Sequence, residues 1–365
     1  MLSESHPLIR RLIRFCLLPY CYIKLVPWHD CDRGYFKVLY DLLFIFFKYK
    51  YYPDNYGPCR LWEKDRSLWP YYYGSTYNAY PRIKLRKIVQ RYDYQVVFND
   101  KELWDSFSKH QDLKAPKSYG VLAPDENYQQ KLKSLFAEIS DEKLIIKPVL
   151  GHAGQGIVLA ERTNDSIRIR LSDGNVGLDE FALLERSIVQ EVITQDSEIA
   201  KIASSSINTI RVVTLLTQEE EIQVLKASMR YGQGDSFIDN CSAGGLSIGV
   251  DVETGKLFSP AYDKHGNLYY RHTISKVEFD GFQIPRWDEV IALAKKVQEL
   301  CPFYRLIGCD IAVTETGVVL IEANANPDIV FQEQVCGPIL ADKRIYNEFK
   351  KYDLLINKYQ KRLYG

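Results

Sequence analysis

Paired cysteines are missing from this chain: its eight cysteines form no CxxC motif and have no zinc-binding spacing to histidine. Scattered thiols are typical of a reducing compartment rather than of a disulfide framework, so we expect a cytoplasmic protein. No run in the sequence reaches the roughly 20 apolar residues that a membrane-spanning helix needs. The start also lacks the apolar core and the small-residue cleavage site of a signal peptide.

The chain also lacks an excess of charge, with 47 Lys and Arg against 47 Asp and Glu. This balance argues against a nucleic-acid partner bound by bulk charge. The 46% hydrophobic and 26% charged residues are those of a globular protein, and 365 residues suffice for two or three packed units. Residues 1–100 nevertheless hold 16 Lys and Arg, 9 Asp and Glu, and 15 of the 26 tyrosines. A basic, aromatic N-terminal third therefore precedes an acidic remainder.

Two segments of this N-terminal third have helical patterns. Residues 8–18 place apolar side chains at helical spacing with arginines between them, and residues 35–52 are apolar almost all round. A helix that is apolar on every side is either buried or in contact with lipid. Basic flanks and neighbouring Trp and Tyr residues fit peripheral contact of residues 8–52 with a membrane, but packing on the rest of the protein is the preferred interpretation. Residues 53–81, rich in Pro, Gly and Tyr, predict an irregular connector.

A glycine-rich loop follows a short buried strand in the centre of the chain. The strand ends in Lys147 and Pro148, and Gly151, Gly154 and Gly156 follow. Glycines allow backbone N–H groups to form a nest for phosphate, and Lys147 adds a point charge. The P-loop motif GxxxxGK[ST] is absent, and a hairpin turn with a surface lysine is the alternative interpretation. We assign no chemistry to His152 in this loop.

The most informative stretch is residues 305–328, which predicts a hairpin of two strands joined at residues 314–317. A three-residue loop centred on Thr316 sets Asp310 opposite Glu322, and side-chain alternation places Asn324 on the same face. Two carboxylates and an amide oxygen would then converge beside an apolar run. Such oxygen ligands select Mg²⁺ or Mn²⁺, and a hairpin edge with solvated acids is the alternative.

In this order, the motifs of the chain resemble the ATP-grasp superfamily over residues 95–335, and within it the sugar-transfer-associated ATP-grasp proteins. The motifs are a helix capped at Asn99 or Asp100, Lys147-Pro148 with its loop, Gln190-Glu191-Val192, Asn208 to Arg211, Asp239-Asn240 with Gly244-Gly245, and Asp310 with Glu322 and Asn324. The chain departs from the family's pattern after Asn324, where Ala-Asn-Pro-Asp carries no Gly after the proline.

The resemblance implies an α+β fold in which two α+β subdomains clasp a nucleotide. We expect a mainly helical, aromatic and basic N-terminal region at residues 1–97, an N-terminal lobe at 98–190, a C-terminal lobe at 191–340 and a C-terminal helix at 341–365.

The resemblance also assigns site residues. The nucleotide phosphates would contact Lys101 and Lys147 under the loop of Gly151, Gly154 and Gly156. The adenine would lie on the backbone of Gln190, Glu191, Val192 and Ile193, with Asp196 or Glu198 on the ribose. The metal ligands would be Asp310, Glu322 and Asn324, and Lys147, Arg211 and Arg230 would act in phosphoryl transfer. The substrate side would involve Asp239, Asn240, Gly244 and Gly245, while Arg271 and His272 either meet a substrate carboxylate or are surface residues.

The activity implied is that of an ADP-forming carboxylate–amine ligase using ATP and Mg²⁺ or Mn²⁺. Phosphorylation makes a carboxylate reactive toward an amine, so the enzyme needs cations at the transferred group rather than a nucleophile of its own. The lack of a GxSxG motif is therefore no objection. Expected substrates are a sugar acid or amino sugar with an amino acid, in cell-surface polysaccharide synthesis. The alternatives are a sugar-kinase-like phosphotransferase and a non-catalytic nucleotide-binding scaffold of a glycan assembly complex.

Overall fold

The structure of the protein, a computed structural model, describes residues 7–74, 79–124, 126–151, 154–164, 166–171, 174–234, 244–264 and 266–365. Its α-helices are α1 Pro7–Cys16, α2 Leu18–Tyr20, α3 Tyr35–Phe44, α4 Ala79–Ile88, α5 Gln95–Asn99, α6 Lys101–His110, α7 Tyr128–Glu138, α8 Ser197–Ala200, α9 Trp287–Leu300, α10 Ile329–Cys336 and α11 Lys343–Lys351. Its strands are β1 Ser118–Leu122, β2 Lys143–Pro148, β3 Val158–Arg162, β4 Ile167–Arg170, β5 Asn175–Gly177, β6 Ser187–Glu191, β7 Ile210–Leu216, β8 Ile222–Tyr231, β9 Leu246–Val250, β10 Leu257–Tyr262, β11 Leu268–Tyr269, β12 Leu306–Thr314 and β13 Gly317–Asn324.

The strands form two antiparallel sheets, in the orders β1-β6-β2-β3-β4-β5 and β11-β10-β9-β8-β7-β12-β13. One face of the first sheet buries Leu144 and Ile146 against Leu132 and Phe136 of α7. The second sheet packs on α9 through one face and on α11 through the other. Because side chains alternate along a strand, each sheet also has positions directed away from its core. The predicted α+β fold is confirmed.

The hairpin of β12 and β13 pairs Asp310 with Glu322, as the sequence predicts. The predicted three-residue loop is wrong, however, because Thr314 pairs with Gly317 and only two residues form the turn. A shift in register follows, since Ile311 pairs with Leu320. This bulge adds one residue to β13 and so offsets the shorter loop. The two deviations cancel, and the acidic pair keeps its predicted position.

The predicted irregular connector contains only short 3₁₀ turns between residues 53 and 74, but it is far from a solvated linker. The aromatic rings of Trp62, Trp69, Tyr72 and Tyr73 are at most 7% exposed. These rings were expected to support membrane contact, and that part of the interpretation is wrong. Trp62, Trp69 and Tyr72 pack in the core of the N-terminal region, and Tyr73 packs against Phe349 of α11. Burial of large rings compensates here for the scarcity of regular hydrogen-bonded structure.

Asp41 explains how an acid is accommodated within the apolar helix α3. Its carboxylate is fully buried and forms ion pairs with Arg33 and Arg66. The Tyr56 hydroxyl donates a further hydrogen bond of 2.9 Å to it. A buried carboxylate is tolerated when it is paired and hydrogen-bonded in this way. Among the described residues, no helix combines the length and the apolar character needed to cross a membrane.

A buried carboxylate of α10 holds the backbone of the N-terminal region. Glu333 is fully buried and accepts backbone hydrogen bonds from Tyr73 and Gly74, each 2.8 Å, and from Ile339, 3.0 Å. Burial raises the pKa of Glu333 to about 7, although the three N–H donors act in the opposite direction. A carboxyl group in this position is therefore expected to titrate near neutral pH.

Glu333→Gln should make the free energy of unfolding less dependent on pH. In the folded protein Glu333 keeps its proton up to about pH 7, whereas the unfolded chain releases it near the ordinary pKa of 4.5. The folded state binds more protons in this window, so its contribution to stability falls as the pH rises from about 4.5 to 7, by up to roughly 3 kcal/mol. The measurement is urea denaturation of both proteins at about pH 5 and pH 8. Equal pH slopes in the two proteins would contradict the assignment.

Candidate active site

A cavity lies between the two sheets. Apolar side chains from both sheets line it, among them Ile145, Ile157 and Leu320. The charged residues that line it are Lys101, Asp105, Lys147, Arg211, Arg230, Asp310 and Glu322. An apolar wall beside several cations suits a ligand with a flat ring at one end and anionic groups at the other.

Lys101 reaches the cavity because it is the first residue of a well-capped helix. The Asp100 carboxylate accepts hydrogen bonds from the N–H groups of Glu102 and Leu103, at 2.9 and 3.0 Å, as an N-cap does. The Lys101 ammonium donates to the carbonyl of Gly151 and lies 3.6 Å from a carboxylate oxygen of Glu322. Lys101 thereby connects the glycine loop of one sheet with the hairpin of the other.

Lys147 and the glycine loop lie on the same side of the first sheet. Alternation along β2 buries Ile146 in the core and places Lys147 at the cavity. Gly151 and Gly154 line the cavity, whereas Gly156 does not. A Cβ atom on Gly151 or Gly156 would come within 2.9 and 2.8 Å of the Pro148 ring, so only glycine allows the loop to fold this closely over β2. His152 lies outside the described residues.

Asp310 is the centre of the charged cluster on the second sheet. Arg211 donates to both of its carboxylate oxygens, with Nη2 at 2.9 Å, and Arg230 Nη2 lies 2.7 Å from Oδ2. The two arginines meet because β7 and β8 are antiparallel neighbours that pair Arg211 with Ser228, two residues before Arg230. Burial raises the pKa of Asp310, but the two guanidinium groups outweigh it and hold that pKa below its usual range. Asp310 is therefore an anion that orients both arginines.

The chemistry of the hairpin side chains fits a hard divalent ion. Glu322 lines the cavity with its side chain 34% exposed, and Asn324 lies beside Asp310 with its amide nitrogen 3.2 Å from Oδ2. With its nitrogen toward Asp310, the amide has its oxygen on the other side, where that oxygen can act as a ligand. The lone pairs of Asp310 are already engaged by the arginines and Asn324. Glu322 and Asn324 are thus the residues best placed to hold Mg²⁺, and the part of Asp310 as a ligand stays a prediction. No cluster of three or more His, Cys, Asp or Glu that could hold a metal is found in the described part of the chain.

Of the residues predicted for the adenine and ribose, only Gln190 lines the cavity. Glu191 accepts a hydrogen bond of 2.7 Å from the Lys117 N–H, while Val192 and Ile193 follow outside the cavity lining. Asp196 is buried and caps α8 by accepting from the Glu198 N–H at 2.9 Å. Glu198 is exposed and pairs with Lys201. Local capping and surface pairing occupy both acids, so the structure brings neither to the cavity.

The predicted substrate residues are not assembled at the cavity either. Asp239 and Asn240 lie outside the described residues, and Gly244 and Gly245 do not line the cavity. His272 is 3% exposed and bonds through Nε2 to the Gly232 carbonyl at 3.0 Å, so it is a packed structural residue here. Arg271 is exposed and bridges by its backbone to Glu278.

Sequence reasoning missed several residues of the cavity. Trp104 and Ser108 project into it from α6, and the hydroxyl of Thr209 accepts a hydrogen bond of 3.0 Å from Arg230 Nε. Alternation marks Thr209 as a neighbour of Arg211 on the same face, a signal available in the sequence.

A second cavity lies beside the first and is lined by Arg82 and Arg86 of α4 and by residues 326–328. Gly308 separates the two, since a Cβ there would lie 2.9 Å from Pro327 and 3.1 Å from Arg211. The structure therefore has room for a second small ligand near the arginines.

Comparison with known proteins identifies the family of this chain. Residues 82–347 match the family described as sugar-transfer associated ATP-grasp, so this chain is an ATP-grasp protein. The chain belongs to this sugar-transfer associated ATP-grasp family. No match is found among curated proteins.

Solved structures of ligases are similar at low identity. D-alanine-D-alanine ligase from Helicobacter pylori is 12% identical, with 74% of this chain and 64% of that chain covered and a TM-score of 0.41. Phosphoribosylamine–glycine ligase from Thermotoga maritima is 10% identical, with 72% and 56% covered and a TM-score of 0.43. An ADP complex of N5-carboxyaminoimidazole ribonucleotide synthetase is 12% identical, with 68% and 53% covered and a TM-score of 0.40. This chain thus spans about half to two thirds of their lengths.

Proposed function

We propose that the protein is an ADP-forming carboxylate–amine ligase that uses ATP with Mg²⁺ or Mn²⁺. The amide would join an amino acid or another amine to a sugar carboxyl, or an aminoacyl group to an amino sugar, during synthesis of a surface polysaccharide such as capsule or O-antigen. The observation that supports this most is the convergence of four cations, Lys101, Lys147, Arg211 and Arg230, on one cavity with an acidic hairpin. The enzyme would act in the cytoplasm, at the inner face of the membrane.

The chemistry proceeds in two displacements. A carboxylate oxygen of the acceptor attacks the γ-phosphorus of ATP, and ADP leaves with the electron pair of the broken P–O bond. The amine nitrogen then attacks the acyl carbon, inorganic phosphate leaves, and the nitrogen loses a proton. Both steps gather negative charge in one place, so fixed cations lower the barrier. Lys101 and Lys147 would hold the nucleotide phosphates, Arg211 and Arg230 the transferred group, and the neighbouring cavity the acceptor.

A divalent ion at Glu322 and Asn324 would supply further charge neutralisation at the phosphates. The protein's own part is to hold the cations in fixed positions. Asp310 orients both arginines, and Lys101 is fixed by its helix cap and by Gly151.

The acids that line the cavity favour a ligase over a phosphotransferase. A kinase that phosphorylates a sugar hydroxyl gains from a carboxylate that can accept the hydroxyl proton. The three acids among the described lining residues are Asp105, Asp310 and Glu322. Asp105 pairs with Lys109 at 2.8 Å, Asp310 with two arginines, and Glu322 with Lys101. A ligase needs no such base for its first step, because its acceptor is already ionised.

The test is product analysis with the purified full chain, ATP and Mg²⁺. Uronic acids, amino sugars and amino acids are supplied in pairs, with Glu322→Gln as the blank. The expected result is release of ADP and inorganic phosphate that depends on both substrates, with an amide product detected by mass. ADP with a phosphorylated sugar and no free phosphate would instead establish a phosphotransferase. Nucleotide binding without turnover on any pair, including lipid-linked glycans, would favour a scaffold.

A further inference from the structure

The exposed apolar side chains of this protein are concentrated in one short part of the chain. Among the described residues, 23 large apolar residues have exposed side chains, and 12 of them lie between residues 8 and 47. They are Leu8, Ile9, Leu12, Phe15, Leu17, Tyr20, Ile23, Tyr35, Phe36, Leu39, Tyr40 and Phe47. Scattered exposed apolar residues are ordinary on a soluble surface, but a contiguous group indicates an interaction site.

Helix α3 and the π-helical segment Ile45–Tyr49 that continues it have one buried face and one exposed face. Val38, Leu42 and Ile45 are at most 1% exposed and pack into the N-terminal core. Phe36 is 89% exposed, and Tyr40 and Phe47 follow on the same face at helical spacing. The interpretation that residues 35–52 pack on the rest of the protein therefore explains the buried face but not the exposed one.

Helix α1 extends the exposed face of α3. Leu8, Leu12 and Phe15 recur at intervals of four and three residues and are 71%, 64% and 44% exposed. The ring of Phe15 contacts those of Phe46 and Phe47, with centroids 5.8 and 6.0 Å apart. The apolar rows of α1 and α3 are thus one surface, which we call the N-terminal apolar face.

Basic side chains border this face. Arg11, Lys24, Lys37, Lys48 and Lys50 are exposed, and Lys37 and Lys48 flank the apolar arc of α3. Three acids lie in the described part of the segment, of which Asp41 is buried between two arginines, Asp30 is paired with Arg60 and Asp32 is exposed, so the five exposed basic residues outnumber them. An apolar face bordered by cations fits an anionic lipid surface, where each basic residue adds about 1 kcal/mol. A second copy of the chain would present the same positive charges, which disfavours a dimer through this face.

We propose that the N-terminal apolar face docks on an anionic lipid bilayer, with α1 and α3 lying in the plane of the interface. The apolar rings would enter the boundary between headgroups and acyl chains, and the flanking lysines would reach lipid phosphates. The inference rests on surface geometry and charge, and it holds whatever reaction the cavity performs.

The experiment is flotation of the full-length protein with vesicles of phosphatidylcholine alone or with 30% phosphatidylglycerol. We expect the wild type to bind the anionic vesicles and to lose most of this binding in high salt. Phe36→Glu should weaken vesicle binding at least tenfold. The double variant Lys37→Glu and Lys48→Glu should weaken binding to the anionic vesicles by a similar factor. The matched control is Leu184→Glu, an 84% exposed site far along the chain, which should bind like the wild type.

Thermal unfolding must show that the variants remain folded. Failure of the wild type to float with anionic vesicles, or equal weakening by Phe36→Glu and Leu184→Glu, overturns the proposal. Self-association in the absence of vesicles that Phe36→Glu abolishes, with no vesicle binding, would also overturn it in favour of a second copy. Ligase activity is not the readout, so failure here leaves the proposed reaction untouched.

Discussion

Glu322→Gln should lower ATP-dependent turnover by about 10² to 10³, or roughly 3 to 4 kcal/mol of transition-state stabilisation. The substitution keeps the shape of the side chain and removes the charge that would hold a divalent ion at the hairpin. Stability should change little, since the side chain is one third exposed and its ion-pair contact is 3.6 Å from Lys101. The measurement is initial rate as a function of Mg²⁺, and the apparent Mg²⁺ constant should rise with the loss of rate.

A matched control lies at the other end of the same hairpin. Glu315 is outside the cavity lining and accepts a hydrogen bond from the Ser197 N–H at 2.8 Å, which the oxygen of glutamine can preserve. Glu315→Gln should therefore keep wild-type rates and an unchanged Mg²⁺ requirement. Turnover of Glu322→Gln within threefold of the wild type at all Mg²⁺ concentrations would remove Glu322 from the metal site.

The hairpin shows what a sequence pattern can and cannot determine. The alternation of side chains along the two strands and the turn-forming residues between them were enough to place Asp310 opposite Glu322, because both follow from strand geometry. They did not predict the bulge, in which β13 carries one extra residue opposite Asp310 and Ile311, because alternation and turn residues do not show where a strand carries an extra residue. Motif order was likewise enough to predict the fold and to gather the two lysines and two arginines at one cavity.

The acids after β6 show why the rest of the site was harder. The sequence does not distinguish Asp196 from Glu198 as a ligand of the ribose. In the structure, Asp196 caps a one-turn helix and Glu198 forms a surface ion pair. Short polar side chains compete for local backbone partners, and tertiary context decides the outcome. The buried aromatic rings at residues 51–73 are a second case, because without periodicity nothing in the sequence distinguishes a packed irregular segment from a linker.

Asp310→Asn should have the largest effect on stability, a loss of about 3 to 5 kcal/mol in the free energy of unfolding. It removes the charge that compensates two guanidinium groups, whose side chains are only 15% and 10% exposed. The folded pKa of Asp310 is depressed below 3.8, so its contribution is present above that pH and is lost as the pH falls through the folded pKa. Urea denaturation near pH 7 measures the loss. Asp353→Asn, at a site 66% exposed that pairs with two lysines, is the control and should cost less than about 1 kcal/mol.

Asp310→Asn also tests whether Asp310 and Glu322 have different roles in the reaction. If Asp310 acts by orienting Arg211 and Arg230, then Asp310→Asn loses turnover that no excess of Mg²⁺ restores, in contrast to Glu322→Gln. Arg211→Met combined with Asp310→Asn should then cost less than the sum of the two single changes, because each removes the same contact. Additive losses, or rescue of Asp310→Asn by Mg²⁺, would instead make Asp310 a metal ligand that the arginines merely accompany.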